Sequence, residues 1–95
     1  MESYFENVIR QMTVEEVKVL GHLYEEDANA SFKAIARKKV QEVLGLSQVE
    51  FRKTIEKLTA TQFVDVVQGK REHRIFLTVY GQEALETSLH EEETE

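Results

Sequence analysis

The fold of this chain is decided by residues 44–58, which read LGLSQVEFRKTIEKL. Gly45 can adopt the left-handed backbone conformation that closes a helix. Ser47 and Glu50 have the spacing of a capping box, in which a hydroxyl and a carboxylate satisfy free backbone amides at a helix start. The apolar residues that follow recur at helical spacing, at Phe51, Ile55 and Leu58. The stretch predicts two helices joined by a tight glycine turn, the second over residues 46–58.

The residues upstream of this turn also follow a helical period. Apolar residues recur from Phe32 to Leu44, so we predict a helix there, although its front half could instead be a separate turn or a short strand. Residues 4–12 form a short amphipathic pattern. Thr13 and Glu16 fit a second capping box, at the start of a helix that ends near Asp27.

Residues 63–79 predict a β-hairpin, because two β-rich runs flank a polar turn that contains Gly69. Thr78 can cap a final helix that ends near His90, before a frayed acidic tail over residues 91–95. The predicted fold is α+β and mainly α, a single domain over residues 1–90 with a three-helix core, a hairpin and a C-terminal helix. The predicted core comprises Phe32, Ile35, Val40, Leu44, Phe51, Ile55, Leu58 and Phe76.

Several short motifs resemble those of MarR-type winged helix-turn-helix regulators: LGLS at 44–47, FV at 63–64, GKR at 69–71 and LTVYG at 77–81. The resemblance covers residues 36–86 and implies double-stranded DNA binding, commonly as a homodimer. It makes residues 46–58 the helix that enters the major groove and residues 64–78 the wing. The DNA-binding residues that it implies are Lys38, Ser47, Gln48, Val49, Arg52, Lys53, Lys57, Lys70, Arg71 and His73.

Side-chain chemistry suits this interpretation of the helix over 46–58. Arg52 can contact guanine through two hydrogen bonds, Gln48 can pair with adenine, and Val49 can touch a thymine methyl group. The lysines and the wing arginine would hold phosphates and set the register: Lys53, Lys57, Lys70 and Arg71. The alternative is an ordinary solvated helix face with internal ion pairs.

The charge of the chain is unevenly distributed. The net charge is -6, which by itself disfavours a nucleic-acid partner. Residues 33–74, however, contain ten cationic and five acidic side chains, a net charge of +5. The remaining residues contain two cationic and thirteen acidic side chains, a net charge of -11. The middle of the chain is therefore basic and both ends are acidic.

Other classes of function lack support in the sequence. Cysteine is absent, and the three histidines lie far apart without the paired spacing of metal ligands. No phosphate-binding loop or nucleophile motif occurs, so we expect neither an enzyme nor a cofactor. No apolar run approaches the roughly 18 residues of a membrane span. We expect a cytoplasmic, nucleoid-associated protein with no membrane partner and no indicated small-molecule effector.

The apolar stripe of the first helix is large for so small a domain. It either closes over the core or meets a second subunit, and we favour the subunit. The candidate dimerisation residues lie in the first and last helices: Tyr4, Phe5, Val8, Ile9, Met12, Leu85 and Leu89. A two-fold dimer would place its recognition helices in successive major grooves, about 34–36 Å apart.

The sequence thus predicts a dimeric, sequence-specific DNA-binding protein. Its role would be that of a transcriptional regulator, or of a plasmid-type or virus-type partition or architectural factor. The alternative is a winged helix that binds another protein and not DNA.

Overall fold

The computed structural model describes residues 4–69 and 71–93, with side chains described for residues 7–69 and 71–89. Five α-helices lie in these residues: α1 (Tyr4–Arg10), α2 (Val14–Glu25), α3 (Arg37–Leu44), α4 (Gln48–Ala60) and α5 (Val79–Glu93). Three strands accompany them: β1 (Ile35–Ala36), β2 (Val64–Gln68) and β3 (His73–Leu77). A 3₁₀ turn occupies Ser31–Lys33. The predicted mainly α winged helix-turn-helix fold is confirmed.

The predicted helix boundaries with local signals are confirmed. Thr13 and Glu16 form the complete capping box at the start of α2. Gly45 closes α3 with φ of 67°, in the left-handed region. At the start of α4 the hydroxyl half of the box predicted for Ser47 and Glu50 is present, since the Ser47 Oγ accepts a hydrogen bond from the Glu50 backbone amide at 3.1 Å. These caps satisfy amides and carbonyls that helix ends would otherwise leave free.

The single helix predicted over residues 32–44 is wrong in its front half. Both alternatives for that half occur, because a 3₁₀ turn and then β1 precede α3. The backbone of β1 pairs with β3, with Ile35 opposite Ile75 and Ala36 opposite Arg74. Pairing with a strand satisfies these backbone groups and removes them from any helix.

The sheet is antiparallel, with β3 at its centre in the order β1-β3-β2. The hairpin register runs from Val64 opposite Leu77 to Gln68 opposite His73, and the Gly69 amide closes the turn by donating to the Glu72 carbonyl at 3.1 Å. The wing therefore lies where the sequence predicts it, and β1 is an additional strand. In β2 the Asp65 carboxylate accepts a hydrogen bond from the Val66 amide at 2.8 Å.

One hydrophobic core joins the helices and the sheet. Its fully buried side chains include Val19, Leu20, Leu23, Val40, Phe51, Leu58, Val64, Ile75 and Leu77. Of the predicted core residues, four are confirmed as buried: Val40, Phe51, Ile55 and Leu58. Ile35 and Leu44 are partly buried and pack against the core.

Two residues that were predicted in the core are not buried there. The prediction for Phe32 is wrong, because its side chain is 85% exposed on the 3₁₀ turn. Phe76 is only half-buried, whereas its neighbours Ile75 and Leu77 are fully buried. Successive side chains of a strand point to opposite faces, so burial of Ile75 and Leu77 turns Phe76 away from the core.

Thr78 fastens the end of the wing to the start of α5. Its amide donates to the Phe63 carbonyl at 3.1 Å, and its hydroxyl donates to the Gln62 carbonyl and accepts from the Gly81 amide. The predicted cap is thus confirmed, and α5 continues to Glu93, beyond His90. Of the predicted tail, residues 94 and 95 lie outside the described residues. No helix in the described part of the chain is long and apolar enough to span a membrane.

Candidate nucleic-acid interface

A cleft of about 470 Å³ lies between α3, the first half of α4 and the wing. We call it the helix–wing cleft. Three residues from each element line it: Arg37, Lys38 and Gln41 from α3, Gln48, Phe51 and Arg52 from α4, and Arg71, Glu72 and His73 from the wing. The structure thus brings predicted site residues from three separate segments to one surface.

The helix–wing cleft has a positive charge. Two arginines and a lysine on the two helices and one arginine on the wing face a single carboxylate, that of Glu72. This carboxylate lies 3.7 Å from the guanidinium of Arg74, on the same strand arm of the wing. The net field in the cleft therefore favours an anionic ligand.

The exposed face of α4 adjoins this cleft. The helix buries Phe51, Thr54, Ile55 and Leu58 against the core, which leaves its opposite face in solvent. The predicted DNA-binding residues in the first part of the motif are all exposed: Ser47, Gln48, Val49, Arg52 and Lys53. Val49 keeps 51% of its surface exposed although it is apolar. Within the described residues no ion pair joins two side chains of α4, which disfavours the alternative of a self-paired solvated face.

Lys57 has a different partner from the predicted phosphate. Its ammonium lies 3.1 Å from the Glu16 carboxylate of α2 and donates to the Gln11 carbonyl at 3.4 Å. The Glu16 side chain is only 4% exposed and also accepts hydrogen bonds from the amide and hydroxyl of Thr13. Lys57 therefore ties α4 to α2, on the side of the helix away from the cleft. This contact was not predictable from local sequence patterns, because the two charged residues lie 41 positions apart.

The predicted DNA-binding residues outside the α4 motif differ in how far the structure describes them. Arg71 and His73 are exposed on the wing, and Lys38 is exposed on α3. Lys70 lies outside the described residues.

Comparison with known proteins decides the family. No protein-family model matches the sequence. The DNA-binding protein TubR of Priestia megaterium is 44% identical to this chain over 90 residues, which span 95% of this chain and 89% of that protein. The chain belongs to the TubR family.

Solved structures agree with this assignment. TubR from Bacillus megaterium pBM400 has a TM-score of 0.89 and 44% identity, covering 94% of this TubR-family chain and 99% of that one. A mutant of MarR from E. coli, solved with operator DNA, has a TM-score of 0.70 at 19% identity, covering 90% of this chain and 57% of that one. The second match shows a shared fold, so the resemblance to MarR-type winged helices is confirmed.

Two predicted dimerisation residues of the TubR-family chain lie in its own core. Ile9 is 4% exposed and Leu85 is 3% exposed, because α1 packs across α5. Val8 and Met12 are partly buried against the same core. The described part of the stripe, Val8, Ile9 and Met12, therefore closes over the core, which is the alternative that we disfavoured. Leu89 remains 47% exposed, and the side chains of Tyr4 and Phe5 lie outside the described residues.

Sequence reasoning did not assign four residues of the helix–wing cleft to the site: Arg37 and Gln41 on α3, Phe51 on α4 and Glu72 on the wing. The side-chain Nε2 of Gln41 donates to the Leu46 carbonyl at 3.3 Å and so stabilises the turn before α4. The Arg37 guanidinium lies over the Phe51 ring, 5.7 Å from its centroid. The sequence shows the three basic residues at 37–39. Which of them line the cleft depends on where α3 begins, and this start is set by the pairing of β1 with β3.

Proposed function

We propose that this TubR-family chain binds double-stranded DNA sequence-specifically, as a homodimer. The observation that carries the proposal is the continuous cationic surface that joins the exposed face of α4 to the wing. In a winged helix-turn-helix domain this helix enters the major groove and the wing follows the backbone. Family membership supports the proposal, because the relative that is 44% identical is named a DNA-binding protein.

The residues divide by the kind of contact that they would make. Gln48, Val49 and Arg52 reach base edges, since their side chains are exposed near the start of α4 and match base-reading chemistry. Lys53 and the wing residue Arg71 bind phosphates, which supply affinity without sequence information. No catalytic step is assigned to any of them.

The proposal of a homodimer rests on the net charge of the chain and on the affinity for DNA that two copies would supply. A single chain with a net charge of -6 presents few cations to DNA, and two linked copies double the contacts. We leave Ile9 and Leu85 out of the proposed seam, because both are buried within one chain. Leu89 is the predicted seam residue with a described, exposed side chain. Regulation, partition and architectural roles all fit a dimeric DNA-binding protein, which would be found with the nucleoid.

A binding experiment tests the proposal. Wild-type protein selects duplexes from a randomised pool, and a selected, fluorescently labelled duplex is then titrated across a salt series. The logarithm of affinity should fall linearly with the logarithm of salt concentration. Arg52→Ala should cost about 1–3 kcal/mol on the selected duplex and relax the preference at one base position. Lys18→Ala serves as the control, because Lys18 is an exposed cation on α2 that does not line the cleft.

The outcomes separate the two hypotheses. If the wild-type protein binds no duplex at low salt, the winged helix is a protein-binding module and the proposal fails. If Arg52→Ala and Lys18→Ala weaken binding equally, the reading face lies elsewhere. Light scattering at the titration concentrations reports the dimer, and footprinting reports the half-site spacing, predicted at about 34–36 Å.

A further inference from the structure

We infer that Arg37 is a fixed contact to the DNA backbone that sets the register of the recognition helix. The inference rests on the proposed DNA binding and assigns a residue that the sequence motifs did not indicate. Its ligand would be a backbone phosphate seated in the helix–wing cleft. The assignment follows from how Arg37 is held, from what surrounds it, and from which of its atoms stay free.

Arg37 is held by an aromatic ring. Its guanidinium lies 5.7 Å from the centroid of the Phe51 ring, and Phe51 is itself 2% exposed and part of the core. A cation–π contact with a ring uses no N–H donor in a hydrogen bond, so the guanidinium keeps its donors for another partner. Within the described residues no carboxylate pairs with Arg37. The donors are therefore available to an external anion.

Arg37 is also tied to both elements that read DNA. It directly follows Ala36, which pairs with Arg74 on the wing strand β3. The ring beneath it belongs to α4, the recognition helix. A phosphate bound by Arg37 would thus be fixed in position relative to the wing and the helix together. Backbone contacts of this kind set the orientation from which base contacts become possible.

The surroundings favour a phosphate on the α3 side of the cleft. Lys38 and Arg37 lie on that side, whereas Glu72 lies on the wing side and would repel an anion close to it. A phosphate also suits the forked donors of a guanidinium, which bind two oxygens at once. The cleft has room for such a group, with a volume of about 470 Å³.

The experiment compares three variants with the wild-type protein on the selected duplex and on a duplex of unrelated sequence. Arg37→Ala removes the contact, and Arg37→Lys keeps the charge but loses the planar fork. Lys39→Ala, an exposed cation on the same helix that does not line the cleft, is the matched control. Thermal unfolding by circular dichroism confirms that each variant is folded before titration.

Arg37→Ala should weaken binding to both duplexes by about tenfold or more at about 0.15 M salt, the loss of one charge-assisted hydrogen-bonding group. It should also lower the slope of log affinity against log salt by about one, as expected when one phosphate contact is lost. Arg37→Lys should keep the slope and lose less affinity. Lys39→Ala should change the slope less than Arg37→Ala does.

Three results would overturn the inference while leaving the proposed DNA binding intact. The first is an unchanged salt slope in Arg37→Ala. The second is weakening on the selected duplex alone, which would make Arg37 a base contact. The third is equal slopes for Arg37→Ala and Lys39→Ala, which would make the effect one of total charge. Should Arg37→Ala fail to fold, a reduced slope in folded Arg37→Lys would equally contradict the assignment. Failure of the wild-type protein to bind either duplex would instead remove the proposed function itself.

Discussion

Replacement of Lys57 by alanine should lower the stability of the protein. It should not reduce the number of DNA phosphates that the protein contacts. The Lys57 ammonium is 3.1 Å from the Glu16 carboxylate, and it also donates to the Gln11 carbonyl. In the variant the nearly buried carboxylate keeps its hydrogen bonds from Thr13 but loses its only ion-pair partner among the described residues. A charge left unpaired in a buried position destabilises the folded state.

The exposure of the two partners sets the magnitude. Removing one partner of a fully buried pair costs about 3–5 kcal/mol, whereas an exposed pair contributes about 0–1 kcal/mol. Here the Glu16 side chain is 4% exposed but the Lys57 side chain is 48% exposed, so solvent screens the pair from one side. We therefore expect a loss of about 1–3 kcal/mol in the free energy of unfolding. For a domain of this size, a loss of about 2 kcal/mol lowers the melting temperature by roughly 8–16 °C.

Urea denaturation followed by circular dichroism measures the loss. Lys53→Ala is the matched control, since Lys53 is an exposed cation one turn earlier on α4. It should leave stability within about 0.5 kcal/mol of the wild-type value but reduce the salt slope of DNA binding by about one. Lys57→Ala should instead lose stability and keep the salt slope of the wild-type protein. Glu16→Gln, which can keep the capping bond to Thr13, completes a double-mutant cycle for the pair.

Two results would refute this reasoning. Stability of Lys57→Ala within about 0.5 kcal/mol of wild type would mean that the ion pair contributes nothing measurable. A salt slope reduced as much as in Lys53→Ala would make Lys57 the phosphate contact that the motif resemblance implies.

Two further predictions concern packing and backbone. Leu58→Ala should cost about 2–5 kcal/mol because Leu58 is fully buried, whereas Phe32→Ala should stay within about 0.5 kcal/mol because Phe32 is 85% exposed; equal losses in urea would show that Phe32 is covered in solution. Gly81→Ala should be strongly destabilising, because a Cβ there would clash with the backbone carbonyl of Phe63, while Gly21→Ala meets nothing within 4 Å and should gain about 0.5–1 kcal/mol of helix propensity. A Gly81→Ala protein that melts like wild type would contradict the close approach of α5 to that carbonyl.

Features with a local cause were predictable from the sequence. The turn at Gly45 and the caps at Thr13, Ser47 and Thr78 depend on residues within three positions of one another, so the sequence pattern alone reveals them. The exposed residues of α4 followed from the same logic, since a helical period assigns one face to the core and the other to solvent.

Features that depend on distant partners were not predictable in this way. Strand β1 has two residues, too few to show an alternating pattern, and its pairing with β3 joins segments about forty positions apart. The run of Ile75, Phe76 and Leu77 is apolar throughout, so it does not reveal which face is buried. The burial of Ile9 likewise required knowledge that α1 packs across α5. Each of these errors concerns which face of a helix or strand packs against which other element, and this is a property of tertiary structure.

Strand β2 is an edge strand of the sheet, in the order β1-β3-β2. Edge strands offer unpaired backbone groups to neighbouring chains, and a run of valines makes such pairing more favourable. Asp65 interrupts the valines at 64, 66 and 67, and its carboxylate accepts the hydrogen bond of the Val66 amide. A charge at this position discourages strand addition between copies. Asp65 thus disfavours edge-to-edge association of this sheet with the sheet of another copy.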